Sequence, residues 1–275
     1  SFNSNSLGHR NFLSLGQSFD NNLFFALDAA IENHADYKDG DRRIIGNSRF
    51  NNQSLRLHTG IEKETFKNKL SFTYLNQNLG IIEDDELDET LATTRTDRNM
   101  QLPYQKVTDY LVSYSQETFH DKFQTFLHGS YHYNDRSEIE EDFNEVDLGI
   151  NQHHTFISGR VSLAPKNNYK HSFGFQGGFI KTLNKQGVQE ILIPDANTFE
   201  IGAYYLGSKK FENVFLQAGL RYDYRKTNAF PERDLFIDYG FVLPGNPSNR
   251  KLTTDFNGFT GSLGATFTLN IASNL

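Results

Sequence analysis

The sequence predicts an all-β fold, an antiparallel transmembrane β-barrel. Three features carry this reading: apolar and polar residues alternate over long stretches, those stretches outrun the strands of soluble sheets, and the links between them alternate in length. Only 37% of the 275 residues are hydrophobic, yet 25 Phe and 13 Tyr accompany one Met and no Trp. With a mean hydropathy of −0.60, no run approaches the ~20 apolar residues that a membrane-crossing helix needs. A barrel wall is not subject to that limit, because only every second residue faces lipid.

The alternation is clearest at 213–225. Val214, Leu216, Ala218, Leu220, Tyr222 and Tyr224 take one face, and Phe215, Gln217, Gly219, Arg221, Asp223 and Arg225 the other. Residues 255–270 place Phe259, Leu263, Ala265, Phe267 and Leu269 opposite Thr260, Ser262, Thr266 and Thr268. The same pattern sets Phe123, Leu127, Tyr131 and Tyr133 against Gln124, His128, Ser130, His132 and Asn134, and sets Phe173, Phe175 and Phe179 against Ser172 and Gln176. At 22–36, Leu23, Phe25, Leu27, Ala29 and Ile31 oppose Asp28, Glu32, His34 and Asp36.

About eleven strands follow, near 5–16, 22–36, 46–61, 68–82, 105–117, 122–137, 150–164, 169–185, 195–208, 212–226 and 253–270. Most exceed the ~5 to 6 residues usual in soluble sheets. Short links at 17–21, 62–68, 118–121, 164–168 and 207–211 alternate with longer polar loops at 37–45, 83–104, 138–149, 186–194 and 227–252. Short turns at one rim and long loops at the other are the expected asymmetry of an outer-membrane barrel. Because bacterial barrels normally have an even strand count, an odd one predicts part of a larger barrel.

Several functions are excluded or disfavoured. A net charge of −7 argues against a nucleic-acid partner, and the absence of Cys excludes disulfide scaffolds and thiolate metal sites. No Gly-x-Ser-x-Gly elbow, P-loop or HExxH motif occurs, so neither an enzyme nor a resident cofactor is expected.

Five segments carry a resemblance, in one order along the chain: DYKDGDRRIIGNSRFN (36–51), YHYNDRSEIEE (131–141), EILIPDANTFEIGAYYL (190–206), QAGLRYDYRK (217–226) and FNGFTGSLGATFTLN (256–270). Together the chain resembles the TonB-dependent outer-membrane receptors of Bacteroidetes-like bacteria. The resemblance implies an outer-membrane location and one partial barrel domain over 1–275, about half of a 22-stranded barrel. The family's plug domain, its energy-coupling box and its terminal aromatic strand have no counterpart here. The implied activity is active import of a scarce nutrient, favouring a metal chelate: siderophore, haem or metal ion. The implied partners are membrane lipid, the periplasmic coupling protein TonB acting through a plug, the ligand, and a surface lipoprotein. A passive pore or structural barrel of about twelve strands is the second reading, and a soluble β-sandwich the third.

Candidate path residues lie on the polar face: His128, His132, His154, Arg160, Arg221 and Asp223. His128 and His132 stand ~13 Å apart along one strand at ~3.3 Å per residue, so neither chelates an ion without a partner on a neighbouring strand. His153 and His154 are adjacent and point to opposite faces, His153 outward. Glu138, Glu140, Glu141, Asp142, Glu145 and Asp147 form an acidic run in an outer loop, and EDDELDE at 83–89 forms another. Oxygen-rich loops attract hard cations, and solvated, self-repelling loops are the plainer account. Outward aromatics such as Tyr131, Tyr133, Tyr222 and Tyr224 fit an interfacial belt.

Overall fold

A computed structural model describes residues 1–82, 97–231 and 251–268. These form one antiparallel sheet of twelve strands in sequential order: β1 (Phe2–Asn3), β2 (Gly8–Ser18), β3 (Leu23–His34), β4 (Phe50–Glu62), β5 (Phe66–Gly80), β6 (Tyr104–Phe119), β7 (Phe123–Ile139), β8 (Leu148–Leu163), β9 (Tyr169–Asn184), β10 (Asp195–Lys210), β11 (Val214–Phe230) and β12 (Leu252–Phe267). Every long strand corresponds to an expected one. The count differs by β1, a two-residue strand that pairs Phe2 with His9 and Asn3 with Gly8. The expected strand at 5–16 starts later because Leu7 takes a positive φ of 47° and turns the chain just before Gly8. Likewise β4 starts at Phe50 rather than 46, since Asn47, Ser48 and Arg49 are committed to side-chain contacts in the preceding loop.

Period 2 decides the faces. Register partners share a face, so Ser14, Asp28, Arg56 and Thr73 lie in one row across β2 to β5, and Leu13, Ala29, Leu55 and Tyr74 in a neighbouring row on the other face. On β11 and β12 the partners Tyr222 and Phe259 fall on the apolar face, with ring centroids 4.7 Å apart. Among the described residues only five hydrophobic ones are buried: Ala35, Ile45, Ile139, Leu148 and Ile191. All lie at the long-loop end. The described residues form no conventional core between layers, and their apolar surface is displayed.

The apolar face has an ordered upper boundary. Tyr74, Tyr110, Tyr133 and His153 are successive register partners, with ring centroids 5.2, 6.2 and 4.9 Å apart. Two residues further toward the long loops, the same face becomes polar with Asn76, Thr108, Asp135 and Asn151. Near the turns, Lys209 places its Nζ 4.3 Å from the Tyr169 ring and 4.6 Å from that of Phe211, and Lys63 lies over Phe66 at 5.4 Å. Ammonium groups at the edge of an apolar, aromatic band keep their stems on it and their charge beyond it.

The short links follow from their residues. Between β8 and β9, Asn167 and Asn168 take φ of 52° and 65°, and Lys166 and Tyr169 exchange two backbone hydrogen bonds of 3.0 Å. Two consecutive left-handed residues close a two-residue hairpin, and asparagine tolerates that conformation better than most side chains.

Candidate functional site

The polar face and the loops above it carry the chemistry. On β11, Arg221 donates to Asp223 twice, from Nε at 2.6 Å and from a terminal nitrogen at 2.5 Å. The pair is two residues apart on one strand, so the two side chains share the polar face and reach each other along it. Glycine permits this: Gly202 is the register partner of Asp223, and a Cβ there would lie 2.4 Å from the carboxylate. Arg160 packs over the Phe126 ring at 5.7 Å, its register partner, and so lies in an aromatic setting. His128 sits between Phe126 and Phe156, 6.3 and 6.2 Å away.

His132 and His154 come together. They are direct register partners on β7 and β8, so both imidazoles rise from neighbouring points on the polar face. His132 Nε2 lies 2.8 Å from Asp109 Oδ1, which also accepts a 2.8 Å bond from Asn134 Nδ2. Asp109, absent from the sequence candidates, sits on the polar parity of β6 and was findable only by aligning that strand with β7. His154 Nε2 is buried and has no hydrogen-bond partner. Among the described residues no group of three or more His, Asp or Glu is arranged to hold a metal ion. His153 faces the other way, as expected, and meets the Tyr131 hydroxyl at 2.7 Å.

The acidic run divides. Glu138 is a strand residue on β7, not a loop residue, and accepts from Gln105 at 2.8 Å and Arg136 at 2.9 Å. Strand pairing persists to Ile139 because Glu138 has both a register partner on β6 and neighbours to bind. Asp147 accepts the Glu140 amide at 2.6 Å, Asp142 accepts the Asn144 amide at 2.9 Å, and Glu145 accepts from Gln189 at 3.4 Å. These carboxylates shape their own loop, and Glu141 stands exposed beside them. The second run, EDDELDE, lies outside the described residues.

Above β3 and β4 a compact knot forms. Asp36, expected on the polar face of a strand, lies past the end of β3 and binds Arg49 through Nε at 3.1 Å, a terminal nitrogen at 2.5 Å and the backbone amide at 3.0 Å. Arg49 also donates to the Asn99 carbonyl at 2.8 Å and approaches Asp97 at 3.4 Å. Asn47, fully buried, donates to the carbonyls of Ile81 and Pro103 at 2.9 and 2.6 Å. Two loops are thus fixed to each other beside the polar face.

Nearby, Ser6 Oγ lies 2.5 Å from His34 Nδ1, and His34 Nε2 lies 3.0 Å from Glu32. The residue types are those of a hydrolytic triad, but Ser6 and His34 are only 4% and 6% exposed, and Phe50 stacks on the imidazole at 4.2 Å. A hydroxyl without access to substrate is a fastening, and this one holds the N-terminal turn to β3.

Two loop carboxyls are shifted, Asp97 in the knot and Asp39 in the exposed loop beside it. At Asp97 the Asn99 amide, against some desolvation and with help from Arg49, holds the carboxyl below its ordinary range. At Asp39 desolvation acts upward but is outweighed by the Arg43 amide and guanidinium, and the result is again downward. Since the folded values lie below the unfolded value near ~4, these contacts stabilise fully above that pH and fade as pH falls through the folded values. Hydrogen exchange of amides 39–43 and 97–99, corrected for intrinsic rates, is expected to stay flat from pH 7 to about 4 and rise below it. Protection that falls between pH 7 and 5 would contradict this assignment.

No protein-family model and no curated protein sequence matches the chain. Solved structures do. The ferric citrate transporter FecA in its unliganded form aligns with 98% of this chain and 40% of its own, at a TM-score of 0.69 and 13% identity. The likeness is one of fold. The copper transporter OprC aligns with 98% of this chain and 41% of its own, at 0.70 and 12%. The ferric-catecholate import receptor Fiu from E. coli K12, closed form, covers 96% and 47%, at 0.69 and 10%. The chain therefore spans less than half the length of these transporters. At such identity the match establishes an antiparallel sheet of transporter-barrel type and carries no residue role across.

Proposed function

We propose that the chain is part of the barrel wall of an outer-membrane, TonB-dependent receptor that imports a scarce nutrient, a metal chelate or metal ion above other classes. The observation that carries this is the twelve-stranded meander, apolar on one face and polar on the other, which superposes over nearly its whole length on transporters of ferric citrate, copper and ferric catecholate. On this reading the apolar face meets lipid and the polar face lines the interior. Among the described residues, the edge of β12 away from β11 and most of the edge of β2 away from β3 have no strand partner. Unpaired backbone groups are costly in hydrocarbon, so further strands close the barrel on both edges. A plug fills it, and a periplasmic coupling protein displaces the plug. The loops above β3, β5 and β7 capture the ligand, and this chain binds and gates without covalent chemistry.

The test is uptake of radiolabelled ferric chelates and divalent metals by cells expressing or lacking the full-length protein. Expression-dependent uptake abolished by dissipating the proton gradient is the expected result. Expression-dependent uptake that persists without energy would establish a passive pore instead.

A further inference from the structure

We propose that His132 and His154 form an open two-nitrogen site for a borderline divalent transition-metal ion, Cu²⁺, Ni²⁺ or Zn²⁺. Facing residues on adjacent antiparallel strands have Cβ atoms ~4.5–5.5 Å apart, close enough for two imidazoles to meet one ion at ~2.0–2.1 Å from each nitrogen. The two histidines occupy such positions on one face. The carboxylate beside them sets the tautomer. Asp109 Oδ1 accepts from His132 Nε2 at 2.8 Å, which places the proton on Nε2 and leaves the Nδ1 lone pair free to ligate. Asn134, donating to the same oxygen, holds that carboxylate in place. A carboxylate behind a ligating imidazole is the usual outer partner of metal-bound histidine.

The second nitrogen comes from His154. Its Nε2 is buried without a hydrogen-bond partner, an arrangement that normally costs free energy and that a bound cation would relieve. Imidazole pairs select copper, nickel and zinc over calcium or magnesium. No third His, Asp or Glu among the described residues completes the set, so water fills the remaining positions. The His132 side chain is 39% exposed, which leaves the ion able to enter and leave. Binding is therefore reversible, as a relay point requires. Its place on an import path rests on the receptor reading above, whereas the metal site itself does not.

Cu²⁺ titration of the full-length protein, purified in detergent with any affinity tag removed, tests the site. Wild type is expected to bind one Cu²⁺ whose electron paramagnetic resonance spectrum shows coupling to two nitrogens. His132→Gln and His154→Gln should each lose that signature and weaken binding tenfold or more, and Asp109→Asn should weaken it by about 10- to 100-fold while keeping both nitrogens. His128→Gln, four residues along β7, should behave as wild type. Heat-modifiable migration on a gel confirms that each variant is folded. Unchanged Cu²⁺ stoichiometry and nitrogen coupling in the folded double variant would overturn the proposal. Energised uptake by a wild-type protein that binds no Cu²⁺ would overturn this site alone, and energy-independent uptake with intact copper binding would overturn only the receptor reading.

Discussion

Replacing Arg49 by alanine is expected to destabilise the protein by about 3–5 kcal/mol, the range for removing one partner of a buried ion pair. The side chains of Arg49 and Asp36 are 3% and 8% exposed, so neither charge can turn to water for compensation. Loss of the guanidinium leaves the Asp36 carboxylate with a single backbone donor, the amide of residue 49. Asp36→Ala should cost less, because Arg49 keeps Asp97 at 3.4 Å and the Asn99 carbonyl at 2.8 Å. Asp36→Leu combined with Arg49→Met should recover most of the loss, since an apolar pair of similar volume removes both desolvation costs. Unfolding midpoints in detergent, measured alongside protease nicking within 36–49, give the order. If Arg49→Ala costs under about 1 kcal/mol, the pair is not buried as described.

The knot illustrates what a sequence withholds. DYKDGDRRIIGNSRFN contains both ends of the ion pair, thirteen positions apart, but nothing in the string says that residue 36 leaves the sheet while residue 49 turns back toward it. Alternation assigned Asp36 to the polar face by parity, and that extrapolation fails where β3 ends at His34. Asn47 shows the same limit, because its partners Ile81 and Pro103 lie across a loop whose path no local pattern determines. Within strands the opposite holds. A period of 2 is a property of adjacent residues, so the facing of His128, His132, His154, Arg221 and Asp223 was legible before any pairing was known.

Register is the missing quantity between the two cases. A strand read alone shows which face a histidine takes, and only the pairing of β7 with β8 shows that His132 and His154 stand opposite each other. The link between those strands is long and carries the acidic run, so no tight turn fixes the offset from sequence. Asp109 was missed for the same reason. The β8–β9 offset shows the same limit, because the Asn167-Asn168 turn closes on Lys166 and Tyr169, one residue out of step with the Ser162–Ser172 pairing of the strands themselves.

Leu220→Arg separates the membrane reading from a soluble one. Leu220 sits near the middle of β11 on the apolar face, opposite Tyr205 and Gly261, and is 66% exposed. In water a residue so exposed could become arginine for no more than about 0.5 kcal/mol either way. Facing hydrocarbon near the bilayer midplane, the same change is expected to cost about 2–4 kcal/mol. Gln176→Arg on the polar face supplies the control, because a hydrated interior accepts the charge, and it should stay within about 0.5 kcal/mol of wild type. Urea titration of the full-length protein folding into lipid vesicles measures both. A large penalty at position 220 with none at 176 assigns lipid to the apolar face. Equal, small effects at the two positions would leave that face in water and remove the barrel wall from the account.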